Sequence, residues 1–240
     1  MAAVTPLLST RGLSRHFGGL RAVENVDFDL PEGEIRALIG PNGAGKTTFV
    51  SMLCGRIPAS SGQITFAGRD VTRMPAHKRV QMGIAYTFQI TSIFAALSVR
   101  ENVELSVQRC LGADRGQLGA ASDALLERVG LLDRAEQVAA DMAYGHQRLL
   151  EIAMGLGQRP RLLILDEPTQ GLSDGEIADF IHLIREVARD TTVLLIEHNI
   201  DVVMALAQKI TVMNFGAIIA AGTPEEIHAN EAVQAAYLGG

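Results

Sequence analysis

The spacing of hydrophobic and polar residues changes along this chain, and each spacing predicts a type of secondary structure. Residues 26–30 (Val-Asp-Phe-Asp-Leu) alternate between apolar and acidic side chains, which is the period-two pattern of a half-buried strand. After a Pro-Glu-Gly turn, the apolar run 35–39 predicts a buried strand. Residues 47–54 then carry a helical apolar rhythm that ends at Gly55. This region therefore predicts strands that lead through a glycine loop into a helix.

The middle of the chain predicts a hairpin, a polar surface segment and then a helical region. Residues 62–68 place apolar side chains on alternate positions between two glycines, as in a short hairpin. The polar stretch 69–79 predicts a surface lobe. Residues 99–157 are mostly helical in composition, with helices predicted over 120–129 and 147–154.

From residue 162 onward, short apolar runs alternate with amphipathic segments. This alternation predicts an α/β layer built on a largely parallel sheet. Thr223, Pro224 and Glu226 form a capping box with proline at the first helical position, so we expect a C-terminal helix to begin there. The predicted strands and helices of this part are 162–166, 175–188, 192–196, 200–207 and 210–213.

Composition places the chain among folded proteins and excludes several classes. Hydrophobic residues make up 48% of the 240 and charged residues 20%, which supplies enough apolar surface to offset the entropy lost on folding. No apolar run approaches the ~20 residues that cross a bilayer, and the first ten residues lack the layout of a secretory signal. We therefore expect a cytosolic protein. A formal charge of −6 predicts no nucleic-acid partner, since such partners need a basic surface.

Candidate chemistry begins at residues 40–47, which read Gly-Pro-Asn-Gly-Ala-Gly-Lys-Thr and match the phosphate-loop motif G-x-x-x-x-G-K-[ST] between a predicted strand and helix. Glycines let backbone N–H groups surround the phosphates of ATP, the lysine reaches the β- and γ-phosphates, and the threonine hydroxyl holds Mg²⁺. A structural glycine turn before a helix is the plainer alternative. The residues predicted to contact ATP here are Asn42, Gly43, Ala44, Gly45, Lys46, Thr47 and Thr48, with Thr47 also a Mg²⁺ ligand.

A second candidate is the apolar strand 162–166, which ends in Asp166 and is followed at once by Glu167. This order sets two carboxylates at the carboxyl end of a buried strand, beside the phosphate loop. We expect Asp166 to hold Mg²⁺ through water and Glu167 to orient and polarise the attacking water. The alternative is an acidic strand end that only caps the following turn.

Four further motifs surround these two sites in a fixed order. They are Gln89 after the predicted strand 84–88, Tyr144-Gly145-His146-Gln147 before the acidic strand, Gly171-Leu172-Ser173-Asp174 after it, and His198 after the next strand. Their order and spacing resemble those of the ABC ATPase family over essentially the whole chain. The resemblance implies a P-loop NTPase (RecA-like) α/β core with an N-terminal antiparallel β subdomain at about 1–90 and 158–240, and an inserted α-helical subdomain at about 91–157.

The same resemblance implies a role for each of these residues. Gln89 would contact Mg²⁺ and the attacking water and couple to a membrane partner, and His198 would read the γ-phosphate. Asp174 would cross to a second subunit, and Phe17 would be the aromatic ring on which adenine stacks. Taken singly, Gln89 and His198 also fit polar residues satisfied at strand ends, and Phe17 fits a core residue.

A narrower resemblance is carried by residues 16–20 (His-Phe-Gly-Gly-Leu), 143–145 (Ala-Tyr-Gly) and 236–239 (Ala-Tyr-Leu-Gly). These segments are similar to those of ATPases from branched-chain amino acid importers and their urea or amide relatives. The wider family's signature is Leu-Ser-Gly-Gly-Gln, whereas residues 142–146 read Met-Ala-Tyr-Gly-His, so the serine hydroxyl and the final glutamine are missing. The resemblance implies contacts to ATP across a dimer interface by Ala143, Gly145 and His146.

The function implied by the resemblance is that of an ATP-hydrolysing motor subunit. Two copies, or one copy and a homologue, would enclose two Mg-ATP and drive separate transmembrane permease subunits, with a solute-binding protein in the complex. The chain would then lie on the cytoplasmic side of the inner membrane. Two alternatives stay open. A soluble ABC ATPase acting on DNA or ribosomes would need a coiled-coil insertion or a basic surface, and a weakly active regulatory nucleotide-binding subunit is suggested by the altered signature.

Overall fold

The computed structural model describes residues 5–87, 92–111 and 115–238, and its strands and helices fall within those ranges. The strands are β1 (Leu8–Phe17), β2 (Leu20–Leu30), β3 (Ile35–Ile39), β4 (Ser61–Phe66), β5 (Arg69–Asp70), β6 (Ile84–Thr87), β7 (Leu162–Asp166), β8 (Thr192–Ile196), β9 (Lys209–Asn214) and β10 (Ala217–Gly222). The α-helices are α1 (Lys46–Leu53), α2 (Ala76–Gln81), α3 (Val99–Leu111), α4 (Arg115–Arg128), α5 (Tyr144–Gly157), α6 (Asp174–Val187), α7 (Ile200–Leu206), α8 (Pro224–His228) and α9 (Glu231–Leu238).

The N-terminal strands form an antiparallel sheet in the order β2-β1-β4-β5. β1 and β2 make a hairpin in which Leu8 pairs with Leu30 and Phe17 with Leu20. The predicted alternation over 26–30 is confirmed, because the three apolar residues are buried and the two aspartates are exposed. This sheet is the N-terminal antiparallel β subdomain that the resemblance implied.

The second sheet has the order β10-β9-β3-β8-β7-β6, and its strands run parallel except for β10, which is antiparallel to β9. Strands β3, β7 and β8 are buried along their whole length, which explains why they read as continuous apolar runs. Asp166 closes β7 beside Ile196 of β8. Since parallel strands end at the same edge, the loops that follow β3, β7 and β8 meet at one place. The prediction of a largely parallel sheet is confirmed.

Helix α1 packs within a buried apolar cluster that spans both sheets. The Phe49 ring of α1 meets the Phe28 ring of β2 edge to face, with centroids 5.6 Å apart at 79°. A second apolar cluster joins α3, α4 and α5 to the other face of the parallel sheet. These three helices lie between β6 and β7 in the chain, where helices were predicted. The bounds 91–157 for a separate helical lobe stay a prediction.

The polar stretch 69–79 is not wholly a surface lobe, because it ends in a buried arginine. Arg79 is 2% exposed, and its guanidinium donates to the carbonyl oxygens of Met52 (2.7 Å) and Leu53 (2.8 Å) at the end of α1. It also donates to the carbonyls of Thr72 (3.0 Å) and Met74 (2.9 Å). A cation at a helix C-terminus satisfies carbonyls that have no partner within the helix. Arg79 therefore ties the end of α1 to the antiparallel lobe.

The C-terminal part differs from the prediction in two respects. Strand β10 was not predicted, because its alternation of small residues gives a weak apolar signal. The capping box at Thr223 is confirmed, yet the helix it opens ends at His228, and α9 begins anew at Glu231. Within the part of the chain that the structure describes, none of the helices combines the length and the apolar character that a bilayer crossing requires.

Candidate functional site

The phosphate-loop motif forms the turn between β3 and α1, as its position in the sequence predicted. Gly45 caps α1 with a φ of 99°, and a Cβ there would lie 2.4 Å from the carbonyl oxygen of Ala22. Only glycine fits this backbone and this approach. The first turn of α1, which is described throughout, holds no acidic residue and no side-chain cap. The positive end of the helix is therefore available to an anion.

Lys46 lies at the start of α1 and folds back over the loop. Its Nζ donates to the carbonyl oxygens of Gly40 (2.6 Å) and Pro41 (3.2 Å), and the side chain is 6% exposed. Burial lowers the pKa of Lys46 from its ordinary value, and the negative charges of Glu167 and Asp166 oppose that shift. Among the described residues, its hydrogen-bond acceptors are these two carbonyls, which a buried cation can exchange for the oxygens of a phosphate group.

A cavity of about 470 Å³ opens over this loop, which is within the usual range of ligand pockets. The loop supplies its floor, and the carboxylate of Glu167 and the imidazole of His198 stand at one side. The start of β2 and the β9–β10 turn also line the cavity. The lining residues are Leu20, Arg21, Ala22, Asn42, Gly43, Ala44, Gly45, Lys46, Thr47, Thr48, Glu167, His198, Phe215 and Gly216.

The two acidic residues after β7 have different surroundings. Asp166 is 2% exposed, and its Oδ2 accepts a hydrogen bond of 2.6 Å from the hydroxyl of Tyr86. Burial raises the pKa of Asp166 above its usual value, and the hydrogen bond from Tyr86 opposes that shift. Burial also raises the pKa of Tyr86, so its hydroxyl stays a donor at neutral pH. Glu167, the next residue, faces the cavity.

Glu167 has a φ of 50°, a backbone conformation that non-glycine residues seldom adopt. Its N–H donates to the carbonyl of Ile196 on the neighbouring strand at 2.8 Å, which holds this turn in place. The carboxylate Oε1 lies 2.6 Å from Nε2 of His198. Strained backbone of this kind is found at functional sites, where the surroundings fix it. The sequence predicted both residues for the site, and the structure brings them into contact.

Glu197 is a site-organising residue that the sequence analysis missed. It is 3% exposed, and its Oε2 accepts from the backbone N–H groups of His198 (2.8 Å) and Asn199 (3.1 Å). Its Oε1 accepts from the N–H of Thr169 at 3.0 Å and from the hydroxyl of the same residue. One buried carboxylate thus ties the loop after β8 to the loop after β7, and so fixes His198 relative to Glu167. An acid just before a candidate histidine was the only signal in the sequence.

Glu197→Gln should lower kcat for ATP hydrolysis by roughly 10- to 100-fold while ATP affinity stays within about twofold. The glutamine would present an N–H₂ group to N–H donors, so that at least one of the two loops must shift. Phosphate release and equilibrium ATP binding measure the two quantities. Thr169→Val is the matched control, since it removes one donor and leaves the carboxylate, and it should lose less activity. A folded Glu197→Gln protein with unchanged kcat would show that the carboxylate does not position the histidine.

The signature residues begin helix α5, and they lie away from the cavity. Ala143 is the N-cap of α5 and makes no side-chain cap bond. Gly145 is buried, and a Cβ there would lie 2.2 Å from Oε1 of Glu176, so the start of α5 packs closely on α6. His146 is half-buried on the same turn. Among the described residues that line the cavity, none comes from this segment.

Asp174 is exposed at the first position of α6, behind the N-cap Ser173, whose hydroxyl and backbone N–H form a capping box with Glu176. It too is outside the described lining of the cavity. The structure therefore brings together the phosphate loop, Glu167 and His198, and leaves the signature and Asp174 on other parts of the surface. Gln89, predicted as a catalytic residue and Mg²⁺ ligand, lies outside the described residues.

Phe17, the predicted adenine-stacking residue, stands at the end of β1 with 45% of its surface exposed. The guanidinium carbon of Arg15 lies 4.5 Å from its ring centroid, so a cation covers one face of the ring. Phe17 is not among the described residues that line the cavity. The role of Phe17 stays a prediction.

The donors around the loop fit Mg²⁺ by their chemistry. This ion prefers oxygen ligands and usually takes one or two carboxylates together with waters and phosphate oxygens. Thr47 lines the cavity beside Glu167, and Asp166 ends the adjacent strand. The described residues hold no cluster of three or more His, Cys, Asp or Glu suited to a metal.

Comparisons with known proteins agree with this geometry. A sequence-family profile described as "ABC transporter" matches residues 23–170, and one described as "Branched-chain amino acid ATP-binding cassette transporter" matches residues 217–240. The chain is 43% identical over 250 residues to the high-affinity branched-chain amino acid transport ATP-binding protein LivG of Salmonella typhimurium, covering 98% of each chain. It is 39% identical over 250 residues to the corresponding protein BraF of Pseudomonas aeruginosa, again with 98% of each covered.

Solved structures give the same picture of the fold. The ADP conformation of an ATP-binding cassette of an ABC transporter matches with a TM-score of 0.88 and 25% identity, covering 98% of this chain and 99% of that one. A nucleotide-free ATP-binding cassette matches with a TM-score of 0.87 and 24% identity over 96% of this chain and 98% of that one. The second likeness concerns the fold alone.

Proposed function

Because this chain belongs to the ABC transporter family of ATP-binding proteins, we propose that it is the motor subunit that hydrolyses ATP to drive transport through separate membrane subunits. The observation that carries this proposal is that one cavity over the phosphate loop is lined by Lys46 and by the contacting pair Glu167 and His198. The cavity thus brings Lys46, which would bind phosphate, together with Glu167 and His198, which would activate water.

Each residue of the cavity has a part in hydrolysis. The loop from Asn42 to Thr48 surrounds the phosphates with backbone N–H groups, and Lys46 exchanges its carbonyl partners for phosphate oxygens. Glu167 orients the attacking water and takes up its proton, while His198 holds the carboxylate in place before ATP binds and donates to the γ-phosphate once it has bound. Thr47 and Asp166 would hold Mg²⁺, which neutralises phosphate charge when bound. Gln89 would complete this set.

A second ATPase subunit is part of the proposal because the site in one chain is incomplete. The signature residues Ala143, Gly145 and His146, together with Asp174, lie outside the described lining of the cavity. Ala143, Gly145 and His146 are at the start of α5, whose first turn has no acidic residue and no side-chain cap, so its N–H groups favour an anion from another molecule. Two chains arranged head to tail would place each signature over the other's phosphate loop, with ATP between them.

The transported solutes are proposed from the relatives' names. LivG and BraF are named for high-affinity transport of branched-chain amino acids, and we propose import of such amino acids or related small polar solutes for this chain. Transmembrane permease subunits and a solute-binding protein would complete the complex, with this chain on the cytoplasmic side of the inner membrane. A soluble non-transport ATPase or a weakly active regulatory subunit gains no support from relatives that are named as transport proteins.

The shared-site proposal is tested by the concentration dependence of hydrolysis. The isolated chain should hydrolyse ATP slowly, and its activity should rise more than linearly with protein concentration, since two chains must meet to form a site. Phosphate release over a dilution series, with the mass of the species followed by light scattering, makes the measurement. A strictly linear dependence from a chain that stays monomeric would contradict the shared site.

Ala143→Ser should tighten the ATP-bound dimer in a Glu167→Gln background. The serine restores a hydroxyl that, in the family, donates to the γ-phosphate across the interface. A hydrogen bond to a charged acceptor contributes about 1.5–3 kcal/mol, so the ATP concentration for half-maximal dimerisation should fall roughly 10- to 100-fold. Size-exclusion chromatography across an ATP series measures the shift.

The structure also shows the competing explanation for this substitution. Ala143 is the N-cap of α5, and a serine there would cap the helix and stabilise the fold by about 1 kcal/mol. Thermal unfolding of the same variant therefore serves as its control. A higher Tm without any change in dimerisation would show that the hydroxyl caps its own helix and that this signature reaches the phosphate by other contacts.

A further inference from the structure

Arg36 is a buried arginine in a strand that is otherwise apolar. It is 6% exposed, and the other four residues of β3 are buried apolar side chains. Its Nε donates to Oε1 of Glu34 at 2.5 Å, and its Nη1 donates to the hydroxyl of Thr211 at 3.1 Å. Apolar side chains of similar volume often stabilise a fold as well as a buried ion pair does. Stability alone therefore gives no reason for an arginine at this position.

The third nitrogen of this guanidinium is open to a ligand. Among the described residues, none supplies a hydrogen-bond acceptor to Nη2 of Arg36. This atom is not fully enclosed, so an acceptor from outside the chain can reach it. A charged donor forms its strongest hydrogen bonds with an anionic acceptor such as a carboxylate. Arg36 can therefore hold one oxygen of an anionic group.

Arg36 lines a cavity of about 470 Å³, a volume within the usual range of small-molecule sites. Lys209 lies beside Arg36 in the β3–β9 ladder, is exposed and also lines this cavity. Its ammonium has no partner among the residues that the structure describes. Both cations stand at the starts of parallel strands, at the edge of the sheet opposite the phosphate loop. The two cavities have no described lining residue in common.

Carboxylates also line the cavity, and two of them have an oxygen to spare. Oδ1 of Asp27 accepts the N–H of Gly12 at 2.6 Å, and Oε2 of Glu226 accepts the N–H of Thr223 at 2.8 Å. Within the described ranges, the other oxygen of each carboxylate has no donor. The third carboxylate, that of Asp29, is paired with an arginine at 2.8 Å. The cavity therefore presents unfilled groups of both signs.

We propose that this cavity binds a small dipolar ion of the α-amino acid class, with its carboxylate on the two cations and its ammonium on the two open carboxylates. A simple anion would be repelled by the carboxylates, and a simple cation by the arginine and the lysine. Phe28, Ile218 and Ala221 line the same cavity and offer apolar surface to an aliphatic side chain. The inference goes beyond the proposed function and rests neither on the nucleotide site nor on the transported solute.

The first test compares three ligands that share one carbon skeleton. Leucine has both charges and an aliphatic chain, 4-methylpentanoate lacks the ammonium, and 3-methylbutylamine lacks the carboxylate. Titration calorimetry on the full chain should show that leucine binds, and that each analogue binds at least about 10-fold more weakly, because one set of charged hydrogen bonds is lost. Equal affinity for leucine and 4-methylpentanoate would overturn the proposal in favour of a simple anion site.

The second test removes the cations. Arg36→Met and Lys209→Met should each raise the Kd of leucine roughly 10- to 100-fold. Lys78→Met, at an exposed position of α2, is the matched control and should leave the Kd unchanged. Thermal unfolding and ADP affinity report whether each variant is folded. If Arg36→Met does not fold, Lys209→Met decides, since its side chain is exposed.

Two further outcomes would overturn the proposal. One is a folded wild-type chain that does not bind leucine, and the other is leucine affinity that stays unchanged in Lys209→Met and in folded Arg36→Met, which would place leucine elsewhere. Failure of the wild-type chain to bind ADP would instead reject the nucleotide site, because the two cavities are separate. Loss of leucine binding with normal ADP affinity in both variants is the expected result.

Discussion

Glu167→Gln should abolish nearly all ATP hydrolysis while ATP binding is retained. The carboxylate that polarises water is lost, and general-base catalysis of this kind contributes about 10²- to 10⁴-fold to the rate. The amide is nearly isosteric and can still accept a hydrogen bond from His198, which lies 2.6 Å from the carboxylate. The phosphate loop is untouched. Phosphate release from the assembled complex measures the loss, and the variant should accumulate as an ATP-bound dimer.

His198→Ala is a useful companion to this variant, because it removes the partner of the same contact. It should lower hydrolysis and leave the ADP affinity close to that of the wild type. A Glu167→Gln complex that hydrolyses ATP at the wild-type rate would remove Glu167 from the catalytic role. The water would then have to be activated by another group of the site.

Lys46→Ala should weaken nucleotide binding itself, by roughly 10- to 100-fold in Kd, because a cation that faces the phosphates is lost. The substitution also removes the two hydrogen bonds by which Lys46 holds the carbonyls of Gly40 and Pro41. Thermal unfolding therefore accompanies the affinity measurement. Lys78→Ala, at an exposed position of α2, is the matched control for loss of a positive charge.

Lys46→Arg tests whether the positive charge alone is enough for nucleotide binding. Arginine keeps the charge but replaces a compact ammonium by a planar fork, which does not fit a site built for a point charge. We expect an affinity between those of the wild type and Lys46→Ala. Equal nucleotide affinity for the wild type and Lys46→Ala would count against the phosphate loop as the binding site.

The sequence predicted those parts of the site in which the functional residues are close together in the chain. Residues 40–48 form a turn and the start of a helix whose shape follows from the glycines, and Asp166 and Glu167 come at the end of an apolar run that predicted a buried strand. In both cases a short segment contains both the functional groups and the backbone that orients them. A motif of this kind keeps its meaning without knowledge of the rest of the fold.

The parts that the sequence did not predict depend on residues far apart in the chain. Glu197 becomes a site residue only when β7 and β8 lie side by side, which brings Thr169 to its carboxylate. Phe215 reaches the cavity because the β9–β10 turn bonds to Ala44, some 170 positions earlier. Arg79 looked like one more charge in a polar stretch, and only the end of α1 explains its burial. Local propensity carries no information on such pairings.

The hydrogen bonds that Arg79 donates to the end of α1 limit how this helix can move. Helix α1 is about 12 Å long, with the phosphate loop at one end and two of the carbonyls that Arg79 contacts at the other. Because its C-terminal end is held in this way, we expect that helix α1 does not shift along its axis when a nucleotide binds at its N-terminal end. We therefore expect the phosphate loop, helix α1 and the antiparallel lobe to move together.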